Sequence, residues 1–173
     1  MDVVKDPDNR HEQMLTAMVE QYEAPLFRTC YMVLKDRGLA EDAVQETFLK
    51  AYRAMDHFRG ECSEKTWLMR IAMNTCRDMT RMRWFRFEDR TEEPELLMQP
   101  VTPCGGYDSL DLASALMKLP LRYRQVVLLY YYHNMSMAEA AEALNISAAT
   151  VHKRLKQACA RLEQLLGRGY LHG

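Results

Sequence analysis

Apolar residues recur three and four positions apart along most of this chain, and no useful stretch alternates apolar with polar residues. That period belongs to amphipathic helices packed by one face, so the pattern predicts an all-α protein. A first helix is expected over about 11–23, and Pro25 predicts a fresh start, because proline is best tolerated in a first helical turn. The second helix then runs to about Lys35, with Gly38 as its stop. From Leu39 to about His57, Ala43, Val44, Phe48, Ala51, Tyr52 and Met55 make one apolar stripe. After a loop at 59–62, Ser63 predicts the cap of a long helix reaching about Trp84, and Glu64 suits the positive end of its dipole.

Residues 88–107 break the pattern. Pro94, Pro100, Pro103, Gly105 and Gly106 interrupt any helix, and the acidic side chains between them favour solvation. The expected organisation is therefore two small helical domains, 8–88 and 109–170, joined by a flexible acidic linker over 89–108. Helices resume at Asp108 or Ser109 to about Lys118, and at Pro120 to about His133.

The sharpest local signal follows. Ser136 with Glu139 fits a capping box over a short helix, Met137 to Leu144, and Asn145 suits a left-handed turn residue. Ser147 then caps a second helix whose buried stripe is Val151, Leu155, Ala158 and Leu162, while His152, Lys153, Lys156 and Gln157 point the other way. This is the pattern of a helix-turn-helix, whose second helix enters the major groove of DNA. The alternative is an ordinary pair of packed helices. Against it stands the absence of acidic residues between Asn145 and Arg161, since phosphate neutralisation supplies much of DNA affinity.

Charge sharpens the division. The chain is nearly neutral overall, yet residues 114–173 hold eight basic and three acidic residues, and 65–90 hold seven and three. Residues 91–113 hold five acidic and no basic ones. Two basic zones separated by an acidic connector imply two polyanion-facing surfaces. The five cysteines form no Cys-x-x-Cys pair, which suits reduced thiols. His11, His57, His133, His152 and His172 show no metal-ligand spacing, and no phosphate-binding glycine loop or nucleophile elbow is present. Neither an enzyme nor a cofactor is expected. The longest apolar run, Val126 to Tyr132, is far short of the roughly 20 residues that span a bilayer. With an acidic N-terminus unlike a signal peptide, the expected location is the cytoplasm, without membrane insertion.

The segments 40–52 (AEDAVQETFLKAY), 58–74 (FRGECSEKTWLMRIAMN) and 119–129, opening on Leu119-Pro120, together with the helix-turn-helix, resemble the extracytoplasmic-function (ECF) sigma factors of bacterial RNA polymerase. The resemblance implies a monomeric subunit that binds core polymerase, recognises promoter DNA at its minus-ten and minus-thirty-five elements, and is held by an anti-sigma factor. It also implies roles for particular residues. Asp42, Gln45 and Glu46 match core-binding positions. Asn74 matches the reader of a flipped minus-ten base, beside a loop of Glu61, Cys62 and Ser63, with Arg70, Arg77, Arg81 and Arg83 on the strand backbone; Trp84 and Phe85 either stack on bases or pack within the domain. Thr150, His152, Lys153, Lys156 and Gln157 match the minus-thirty-five contacts. Two positions depart from the family: Glu64 replaces a usually apolar residue, and Gln157 a frequently basic one. The rival expectation is an autonomous, dimeric helix-turn-helix regulator that ignores polymerase.

Overall fold

The computed structural model describes residues 7–84 and 109–167, with side chains over 9–82 and 111–167. The expected linker, Phe85, Cys104 and Arg168, and the side chains of Arg83 and Trp84, lie outside the described residues. Every element among the described residues is helical.

The N-terminal domain is three helices. In α1 (Pro7–Leu34) the expected break at Pro25 does not occur, for the helix runs through it. Met18, Tyr22, Leu26, Cys30 and Val33 continue one apolar stripe across the proline. Burying that stripe outweighs the roughly 3 kcal/mol that an interior proline costs. The Thr29 hydroxyl also returns a bond to the Pro25 carbonyl at 2.9 Å. The turn after α1 is made by Lys35, at φ 58°, rather than by Gly38, which lies in the first turn of α2 (Arg37–Ala54). Asp36 takes over the cap, its carboxylate accepting from the Leu39 amide at 2.9 Å. A 3-10 turn at Met55–His57 closes α2. Ser63 caps α3 (Glu64–Trp84) as expected, its hydroxyl accepting from the Thr66 amide at 3.1 Å.

The C-terminal domain consists of α4 (Ser109–Lys118), α5 (Leu121–Val127), a π-helical turn at Leu128–Tyr132, α6 (Met137–Leu144) and α7 (Ala148–Leu166). The α6–α7 pair forms as its sequence dictates. Ser136 and Glu139 complete the capping box, Asn145 takes φ 53°, and Ser147 caps α7 through the Thr150 amide at 3.1 Å. Where an α-helix to His133 is expected, the chain widens by one residue, so that the His133 amide donates to the Leu128 carbonyl at 3.0 Å. Such wide turns recur where a protein must re-aim side chains. Here the turn directs Tyr132 and His133 at the first domain.

The two domains touch. Helix α3 packs on α6, and α1 meets α5. The Arg124 guanidinium, 4% exposed, donates to the carbonyls of Met117 and Leu119 in its own domain and to that of Val33 across the boundary, at 2.9, 3.2 and 3.2 Å. His133, also 4% exposed, meets the Thr29 hydroxyl at 2.6 Å, while Lys65 donates to the His133 carbonyl.

Candidate nucleic-acid and polymerase interfaces

Three polar surfaces emerge from this packing. The first lies along α2. Ala40, Ala43, Val44, Thr47, Phe48 and Ala51 are buried against α1 and α3, which turns Asp42 and Gln45 fully outward and leaves Glu46 half exposed. These three line an open groove with Leu49, Lys50, Thr75, Asp78, Met79 and Met82. Glu46 stands 3.8 Å from Lys50, whose ammonium also reaches the Thr75 hydroxyl at 3.2 Å, so a cation ties α2 to α3 within the groove. Leu49 and Met82 are more than half exposed. The groove thus offers acidic and amide acceptors beside apolar area, suited to an arginine-bearing helix.

The second surface is one stripe of α3. Leu68, Met69, Ala72, Met73 and Cys76 are buried, so Arg70, Asn74, Arg77 and Arg81 fall along the polar side, spaced four, three and four residues apart. Arg70, Arg77 and Arg81 are exposed, and Asn74 is half-buried. At the N-terminal end of this stripe, Glu61 and Ser63 are exposed and Cys62 is half-buried. The Ser63 hydroxyl is engaged in the cap and bonds the Thr66 hydroxyl at 2.9 Å. The Cys62 thiol is pushed up from its ordinary range by burial and by the nearby Glu142 carboxylate. Trp67 packs against Phe58 with the rings tilted 31° and their centroids 4.7 Å apart, an internal packing role. Glu64 is exposed at the start of α3.

The third surface is the outer face of α7. Val151, Leu155, Ala158 and Leu162 are buried, leaving His152, Lys153, Lys156 and Gln157 exposed on one side. Thr150 is half-buried, with its hydroxyl 2.8 Å from that of Ser147. Gln157 is oriented from below, because Tyr123 donates its phenol to the Gln157 amide oxygen at 3.0 Å. That leaves the side-chain NH2 as the group to offer outward, a donor in place of a charge. Arg122 and Arg161 flank the Tyr123 ring at 4.9 and 4.7 Å.

The helical signal located α2, α3 and α7 and their outward residues. It did not locate Lys65, Arg124, His133 and Glu142, which join the domains. Their only sequence trace is polar side chains inside or beside apolar runs, and periodicity cannot say what they meet.

This architecture, a helical domain with a polar-striped α3 and a second domain ending in a helix-turn-helix, is that of a promoter-reading protein. Comparison with known families gives the same answer at both ends: Sigma-70 region 2 matches residues 18–86, and Sigma-70, region 4 matches residues 109–162. The ECF RNA polymerase sigma factor SigW of Bacillus subtilis is 30% identical over 165 residues, covering 88% of each protein. Among solved structures, the sigma factor RpoE in complex with the anti-sigma factor NepR from Bartonella quintana superposes with a TM-score of 0.71 at 24% identity, covering 87% of this chain and 97% of that one. CnrH in complex with the cytosolic domain of CnrY gives 0.64 at 26% identity, covering 90% and 88%. The chain belongs to the ECF RNA polymerase sigma factors, and it directs promoter-specific transcription initiation. It is a non-enzymatic protein by family. No helix among the described residues is long and apolar enough to cross a membrane.

Proposed function

We propose that residues 8–88 dock on core polymerase and capture the minus-ten element, that 89–108 act as a strap, and that 109–170 read the minus-thirty-five element. Asp42, Gln45 and Glu46 accept hydrogen bonds from the polymerase, with Leu49 and Met82 adding apolar contact in the same groove. On α3, Asn74 reads an unstacked base through an amide that both donates and accepts, while Arg70, Arg77 and Arg81 follow the strand backbone. Glu61, Cys62 and Ser63 border the base pocket. Binding the extruded base offsets its unstacking cost of a few kcal/mol. On α7, His152 and Gln157 reach base edges, and Lys153, Lys156 and Thr150 reach phosphates. The protein works in the cytoplasm, as a monomer when free, under an anti-sigma factor. The likeness to CnrH, solved in complex with the cytosolic domain of CnrY, supports a protein partner that holds the chain.

The single observation that carries this reading is the alignment of Arg70, Asn74, Arg77 and Arg81 on one stripe of α3, in the same chain as an exposed basic face on a helix-turn-helix. The test is co-purification with core polymerase, followed by footprinting of the complex. The wild-type chain enters a 1:1 complex that protects two separated elements, and combined D42A, Q45A and E46A substitutions prevent entry. A free dimer that protects a palindrome without polymerase would establish the autonomous regulator instead.

A further inference from the structure

Tyr123 of α5 is 4% exposed, yet its phenol reaches the outer face of α7. A buried hydroxyl needs a partner, and this one donates to the Gln157 side-chain oxygen at 3.0 Å. The ring has little freedom, because the guanidiniums of Arg122 and Arg161 lie over it at 4.9 and 4.7 Å. Those cations also decide which way the amide turns. Its carbonyl oxygen is the negative end of the amide dipole and favours the side that holds two guanidiniums. The NH2 is turned away from them, on a residue that is exposed beside Lys153 and Lys156.

A free glutamine amide reads DNA in two senses at once. It donates to N7 and accepts from the N6 amino group of adenine. The oxygen of Gln157 is engaged from below, so hydrogens alone remain for the groove. Guanine meets them with two acceptors, O6 and N7, and thymine with one, O4. Adenine sets its N6 donor against the NH2, and cytosine offers only a donor.

We infer that Tyr123 is a positioning residue for base readout, and that through it Gln157 selects guanine, with thymine second, at one base pair of the minus-thirty-five element. The inference rests on the reading of α7 given above and names the base edge that one of its residues takes. A cation at this position would be drawn to any nearby phosphate, whatever the sequence. A neutral donor held in one orientation has no such attraction, so its contribution depends on the base it meets. Removing the phenol hydroxyl frees the amide to turn, and adenine then becomes as acceptable as guanine.

The experiment uses the full chain bound to core polymerase. A library of the mapped promoter, randomised at each minus-thirty-five position, is selected by wild type, Y123F, Q157A and the Y123F/Q157A double variant, and the bound DNA is sequenced. Thermal melts of each chain are recorded in parallel. Wild type is expected to favour guanine over adenine by about tenfold at one position. Y123F should bring adenine level with guanine at that position alone, and Q157A should level all four bases there. The double variant should match Q157A, because the phenol acts only through the amide. A merely structural role for Tyr123 would weaken binding to every sequence together and reshape no single position. A wild-type preference for adenine or cytosine at the position that Q157A levels overturns the inference. So does a Y123F profile that matches wild type, or one that still changes the profile once Gln157 is gone. Should Y123F fail to fold, wild type and Q157A decide between them: a guanine preference lost in Q157A supports the inference, and an adenine preference overturns it. If Q157A alters no position, the placing of Gln157 at a base edge fails and the inference with it. If Q157A levels one position while Y123F changes nothing, that placing stands and the inference alone fails.

Discussion

Helices α3 and α7 are built alike and left differently. Each buries an apolar stripe, Leu68 to Cys76 in one and Val151 to Leu162 in the other, and each turns cations to the opposite side. Yet α7 shows its cations to solvent alone, whereas Arg70 at the start of the α3 stripe, though exposed, stands 3.8 Å from the Glu142 carboxylate of α6. The amphipathic pattern decides which residues leave the core. It does not decide what those residues then meet.

The largest expected break in this comparison comes from the apolar side of α7. Leu155→Ala removes a buried side chain and should cost about 3 to 4 kcal/mol, seen as a lower melting temperature and a loss of minus-thirty-five binding. Binding to core polymerase through α2 should survive it. Arg124→Ala acts at the boundary itself, leaving three carbonyls without their guanidinium donor. It should cost about 2 to 3 kcal/mol and loosen the domains together. Hydrogen exchange at Val33 and across α5 would register both effects, and a change confined to one domain would contradict the role of Arg124 as a joint.

Acid should open the same joint from another direction. Burial, followed by the nearby Lys65 ammonium, lowers the His133 pKa from 6.5 to about 4. The closed fold therefore prefers the neutral ring, while a released or unfolded His133 protonates first. Stability is then full above pH 6.5, falls as the pH drops from 6.5 towards 4, and levels off below that as far as this residue is concerned. Chemical denaturation at stepped pH should show this slope in wild type and a flatter one in His133→Gln.

Smaller effects separate caps from contacts. Ser136→Ala removes the hydroxyl that accepts from the Glu139 amide, and should cost about 1 kcal/mol in a thermal melt. Lys156→Ala should leave the melt unchanged and reduce the salt dependence of minus-thirty-five binding by about one phosphate contact. A loss confined to one base pair would instead make Lys156 a base reader.

These differences mark what was legible in the sequence. Capping chemistry is local, so Ser63, Ser136, Asn145 and Ser147 could be placed from their neighbours alone, and the helix-turn-helix formed as expected. The outward positions of α2, α3 and α7 followed from period. The continuity of α1 through Pro25 was not legible, because local proline chemistry argues for a break and only the buried stripe from Met18 to Val33 overrides it. The displaced stop is local instead: Lys35 takes the left-handed turn expected of Gly38, and the Asp36 carboxylate caps the start of α2. The π-helical turn and the joint through Arg124 and His133 were invisible, since they depend on residues about a hundred positions away. Gln157 stood out in the sequence only as a departure from a frequently basic position, and its bond from Tyr123 shows it as an oriented amide.

Run-off transcription with purified core polymerase on a genomic fragment library tests the central claim most directly, comparing wild type with Asn74→Ala and Lys156→Ala. The wild-type chain should start transcripts at defined positions that share two spaced elements. Asn74→Ala should lose open-complex formation while keeping upstream binding, and Lys156→Ala should weaken recruitment in a salt-dependent way. Transcripts that start at the same sites and in the same amounts with both variants would contradict the assignment of α3 and α7 as the two promoter-reading helices.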